Sequence, residues 1–105
     1  MSRSEKRELV SRLKILILHL LKWQYQPDRR GASWRSSVYN ARDALADLLN
    51  DSPSLKSQLA GAIETAHARA VRDAADETTL PAAAFPKACP WSFTQLSDPD
   101  FWPEN

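Results

Sequence analysis

A single cysteine, Cys89, excludes an intramolecular disulfide framework. It is expected to be a small buried hydrophobe or a harmless thiol. With two glycines in the whole chain there is no Gly-rich phosphate loop, and no GxSxG run supplies a nucleophile elbow. Long apolar runs are missing too. The longest, ILILHLL over residues 15–21, is interrupted by His19 and falls far short of the ~20 residues a membrane span needs. The opening MSRSEKRE lacks the apolar stretch of a secretion signal. Strand-like alternation of apolar and polar residues is absent. The expectation is one small cytoplasmic domain with no membrane segment.

What remains is helical in character. Most of the seven prolines lie beyond residue 80, so a helical body is followed by an irregular tail. Residues 4–24 form the first predicted helix, with Ser4 as N-cap and Glu5 and Glu8 in the first turn. Leu9, Leu13, Leu16, Leu20 and Trp23 recur at helical spacing, flanked by Val10, Ile17 and Leu21. From Ile15 on, the apolar character runs nearly all the way round, which marks a central helix. Pro27 stops it, Gly31 lets the chain turn, and Ser33 is placed to cap the next helix.

The second predicted helix covers 34–50, on a stripe of Trp34, Val38, Ala41, Leu45 and Leu48 or Leu49. Asp51 or Ser52 is placed to cap the third, over 53–76, with Pro53 in its first turn. Its stripe is Leu55, Leu59, Ala62, Ile63, Ala66 and Ala70, a smooth face that allows close helix approach. The segment 77–105 carries Phe85, Trp91, Phe93, Phe101 and Trp102, which is too aromatic for disorder. It is predicted to wrap the bundle, with helical turns near 81–84 and 92–97. The fold class is therefore all-α: three main helices in a small bundle, in one domain spanning 1–105, with a Pro/aromatic-rich C-terminal segment wrapped on it.

Chemistry-bearing residues are sparse. His19, His67 and Cys89 lie on separate elements without ligand spacing, so no metal site is expected. His19 reads as a core histidine and His67 as half-exposed. Asp98 and Asp100, set beside prolines in SDPDFWP, read as turn formers rather than an acid–base pair. No catalytic residue and no cofactor are expected.

The charge is unevenly spread. Residues 1–42 carry ten cations and three acids, a net +7; residues 43–105 carry four cations and ten acids, a net −6. Three readings are open: a nucleic-acid surface, attraction between the two parts, or an acidic partner on the basic part. The stretch LLKWQYQPDRRGASWR, residues 20–35, interleaves cations with aromatics, and its candidate binding residues are Lys22, Trp23, Arg29, Arg30, Trp34 and Arg35. The structural alternative is that Trp23 and Trp34 pack across the elbow and the arginines are solvated.

The runs SEKREL (4–9), HLLKWQYQP (19–27), SWR (33–35), ARDALADLLNDSPSL (41–55), FPKACPW (85–91) and DPDFWP (98–103) resemble the bacterial domain of unknown function family 29. The resemblance covers essentially the whole chain. It implies an all-helical fold, and it carries over no activity and no site residue. Two departures stand out. Where the family pattern ETGLP has glycine, this chain has Thr79, which would be strained if the helix end there is left-handed. The chain also looks like a version lacking an acidic leader ahead of SEKREL, which would leave one side of the first helix uncovered.

The function expected first is that of a non-catalytic interaction module, with a second copy or an acidic helical partner covering the first helix. The alternative is nucleic-acid binding, which requires Lys14, Lys22, Arg29, Arg30, Arg35 and Arg42 to share one exposed face and a steep salt dependence.

Overall fold

The computed structural model describes residues 3–104. Four α-helices occur among them: α1 (Arg3–Tyr25), α2 (Ala32–Asp51), α3 (Leu59–Thr78) and the short α4 (Phe93–Ser97). Short 3-10 turns cover Pro27–Arg29, Pro53–Gln58 and Ala82–Ala84. No strand occurs among the described residues, so the fold is all-α.

α1 is the axis of the molecule. Its 23 residues span about 35 Å at ~1.5 Å per residue, against a longest molecular dimension of 39 Å. It packs on both α2 and α3. Leu9, Leu13, Leu16, Ile17, Leu20 and Leu21 are fully buried, which fits the central position read from the sequence. The side of α1 expected to lie open is largely covered. Ile15, at 45% exposure, is the one large apolar residue of α1 on the surface.

The helix ends differ in detail from expectation. Ser4 lies inside α1, and the residue ahead of Arg3 is outside the described residues. Gly31, not Ser33, occupies the cap of α2, and its carbonyl accepts from the Arg35 amide at 3.1 Å. Ser52 holds the cap position before Pro53 but makes no side-chain cap bond. The stretch predicted to open the third helix is instead a 3-10 turn, Pro53–Gln58, anchored by the buried Leu55.

The tail wraps as predicted, with turns at 82–84 and 93–97. Phe85 and Trp91 are buried; Phe93, Phe101 and Trp102 pack against the core from the edge. α4 is closed by a capping box. Ser92 Oγ accepts from the Gln95 amide at 3.2 Å, and Gln95 Oε1 accepts from the Ser92 amide at 3.0 Å. Asp98 Oδ1 accepts from the Asp100 amide at 2.8 Å, the turn-forming role expected of that pair.

Thr79 ends α3 in the left-handed region at φ 62°, ψ 8°, as its departure from glycine anticipated. It is the one described non-glycine residue with positive φ.

The histidines exchange the places expected of them. His19 is half-buried and its Nδ1 lies 2.8 Å from the Ile15 carbonyl, one turn back on its own helix. His67 is the buried one, at 2% exposure, within the alanine face of α3. The tail segment 82–87, with Phe85, passes beside this ring on the outer side of α3 and helps to enclose it.

Candidate functional site

The elbow between α1 and α2 does not act as one unit. Its six candidate residues fall into two groups with different surroundings. The first centres on Trp23, whose ring partner is Trp102 of the tail, at 4.5 Å between centroids and tilted 40°. The expected packing of Trp23 on Trp34 across the elbow is thus replaced by a contact 79 residues away in sequence. Arg30 donates from Nε to the Trp23 carbonyl at 2.6 Å and holds its guanidinium 5.2 Å from the Trp23 ring. Arg35 approaches the same ring at 6.0 Å. Tyr39 and Arg42 of α2 both reach Trp102, at 5.7 Å each. Gln24 Nε2 donates to the Glu104 carbonyl at 2.9 Å. This group straps the end of the tail over the elbow, a structural use of stacking and cation–π contact.

The second group opens outward. Lys22, Gln26, Arg29 and Trp34, with Glu77 and Thr78 from the end of α3, line a cavity of about 330 Å³. Lys22 Nζ pairs with Glu77 Oε1 at 2.9 Å and stands 5.1 Å from the centre of the Trp34 ring. Arg29 is exposed and has no ion pair among the described residues. Pro27 sets this geometry. It ends α1 and starts a single 3-10 turn that lifts Arg29 to the rim.

The six cations required for a nucleic-acid face are not on one exposed surface. Arg42 is buried at 6% exposure. Lys14 Nζ is bonded to Asp73 at 3.1 Å and Lys22 to Glu77, so part of the charge asymmetry is answered within the chain. Bonds from Lys14 and Arg72 hold the Asp73 carboxyl below its ordinary range.

Arg42, read from the sequence only as part of an exposed basic face, has a buried structural role instead. It sits on the buried stripe of α2 and donates to three tail carbonyls: Leu96 at 2.8 Å, Phe101 at 2.8 Å and Gln95 at 3.4 Å. Burial pushes its pKa down, opposed by the charge of Asp98 and by Tyr39. A cation one position after the apolar Ala41 was the available signal.

His67 lines a separate cavity of about 300 Å³ between α3 and the tail, with Val71, Ala83, Phe85 and Lys87 among its walls. Its Nε2 is buried without a hydrogen-bond partner, and burial lowers its pKa, with Glu64 opposing. Among the described residues no group of three or more His, Cys, Asp or Glu side chains is arranged to hold a metal. No helix among them is long and apolar enough to cross a membrane.

The two most distinctive runs of the sequence, HLLKWQYQP and DPDFWP, meet through Trp23 and Trp102. Both runs lie within the span of a family model, described as Domain of unknown function DUF29, that matches residues 1–102. The chain belongs to this family. No curated protein and no solved structure matches it. In this DUF29 chain the elbow is thus divided into a strap and an open cavity.

Proposed function

We propose that this DUF29 chain is a non-catalytic interaction module that docks an acidic segment of a protein partner in the elbow cavity. The observation that carries the reading is the convergence of Lys22, Arg29 and Trp34 on one open cavity while Trp23, Arg30 and Arg35 are taken up by the strap. Arg29 offers a guanidinium fork to a carboxylate, Lys22 a second cation, and Trp34 a flat apolar wall. An acidic side chain entering the cavity would compete with Glu77 for Lys22. That competition keeps the contact weak and reversible.

A second copy of the chain is the less favoured occupant. Among the described residues the exposed large apolar ones are Ile15 and Tyr39, each at 45%, which is too little for a stable dimer core. Nucleic acid is disfavoured by the burial of Arg42 and by the pairing of Lys14 and Lys22.

The four tryptophans make the test direct. Each indole N–H gives its own nuclear magnetic resonance signal. Titration with a glutamate-rich peptide containing one phenylalanine is expected to shift the Trp34 signal saturably and leave that of buried Trp91 in place. Arg29→Glu is expected to abolish the shift. A response at Trp23 and Trp102 alone, or none at any tryptophan, would refute the reading.

A further inference from the structure

α1 and α3 run in the same direction, and cations of α1 meet acids of α3 in steps. Lys22 stands opposite Glu77 and Lys14 opposite Asp73. Glu77 and Asp73 are one helical turn apart, so the next residue back on that face of α3 is Arg69. The matching level of α1 holds Lys6 and Arg7, with Arg3 a turn earlier. The third step therefore sets cations against a cation.

Arg3, Lys6, Arg7 and Arg69 line one cavity of about 280 Å³ with Val10 and Thr65, and no acid lines it. Among the described residues none of the four side chains has an ion pair. The other cations of α1 are all matched: Arg12 with Glu8, Lys14 with Asp73, Lys22 with Glu77. Arg3 with Lys6, and Arg3 with Arg7, are also like-charge neighbours at helical spacing, an unfavourable arrangement unless an anion lies between.

We propose that this cavity is a binding site for a compact multivalent anion, a diphosphate or triphosphate group. The three arginines present planar forks that match phosphoryl oxygens two at a time. Lys6 adds a point charge, Thr65 a hydroxyl donor, and Val10 an apolar floor. The volume is near the low end for small-molecule sites, about 300–1,000 Å³, and suits a short phosphate chain. A longer polyanion would run onto Asp73, the next step of the same face. The site is independent of the elbow cavity, which is lined by different residues.

The test is calorimetric titration of the full chain with sodium tripolyphosphate, at low and high salt, with sulfate at matched ionic strength as a control. The result expected is one saturable site, weaker at high salt, that sulfate does not occupy. Arg69→Glu completes the third step with an acid. It is expected to leave the melting temperature no lower than wild type and to weaken tripolyphosphate by on the order of tenfold or more. Lys87→Glu, the same charge change elsewhere, is expected to leave binding unaltered. The proposal is overturned by the absence of saturable binding, by retained binding in Arg69→Glu, or by equal weakening in both variants. A further arm uses vesicles containing phosphatidylglycerol. Binding to them that tripolyphosphate fails to displace would also overturn it, by making a lipid headgroup the ligand.

Discussion

Arg42 Nε donates to the Leu96 carbonyl at 2.8 Å, joining α2 to the tail across 54 positions of sequence. The acceptor is available because the last carbonyls of a short helix have no partner within it. α4 ends at Ser97, so the Gln95 and Leu96 carbonyls point out of its C-terminal end, where a cation is favoured. The Phe101 carbonyl completes the set at 2.8 Å, and Trp102 lies under the guanidinium at 5.7 Å. One side chain thus fixes the closing segment that also delivers Trp102 to Trp23.

Arg42→Met keeps the apolar stem and removes all three donations, leaving the Leu96 and Phe101 carbonyls without their Arg42 donor. It is expected to lower unfolding stability by about 2–4 kcal/mol in urea denaturation. Arg42→Lys is expected to recover little, because an ammonium cannot span the separated carbonyls as a planar fork does. Amide exchange of α4 should accelerate in both variants before that of α1.

Thr79 holds a β-branched side chain in the left-handed region. Glycine has no Cβ to clash there, although it also frees the unfolded chain. The balance favours Thr79→Gly by about 0.5–1 kcal/mol, read as a raised urea midpoint with an unchanged slope. Thr79→Val should bring no gain, because it keeps the branching and loses the bond from Thr79 Oγ1 to the Thr78 carbonyl.

His67 is a base whose folded pKa lies below its ordinary value of 6.5. In the acid range the unfolded chain takes up the proton that the folded chain resists, so acid favours unfolding. Stability is expected to fall as pH drops below about 6.5, and His67→Met should flatten that part of the profile. At neutral pH the same substitution removes a buried Nε2 without a partner and is expected to add about 1–2 kcal/mol. Asp73 acts in a separate window. Its carboxyl is held low, so its contribution is present at neutral pH and fades only below the ordinary carboxyl range.

Cys89 has its thiol pushed above its ordinary pKa by burial, and its Sγ donates to the Trp91 carbonyl at 3.4 Å. Reaction with a thiol reagent near pH 8 is expected to be slower than that of free cysteine. In Arg42→Met, with the tail loosened, the rate should rise toward the free value.

The helical periods were legible because burial repeats every three to four residues. Leu9, Leu13, Leu16 and Leu20 had to face a core in any packing, and Pro27 had to end their helix. The turn character of Asp98 and Asp100 and the strain at Thr79 were legible for the same reason: each depends on backbone chemistry within a few residues. The exchange of roles between His19 and His67 was not. Both lie on helices rich in small or apolar residues, and where the tail crosses the bundle, beside His67 and not His19, is a matter of tertiary packing.

The sequence by itself determined the all-α class, the elbow, the wrapping tail and the charge imbalance, since all four depend on local composition and spacing. Only the tertiary structure decided which cations are consumed and which stay open. Pairing energy depends on distance between side chains, and sequence spacing does not report that distance between elements. Lys14 and Lys22 meet acids 59 and 55 positions away, Arg42 is buried under the tail, and Arg69 arrives opposite Lys6 and Arg7. A net charge near zero becomes, once folded, a matched seam with one cationic step left unanswered.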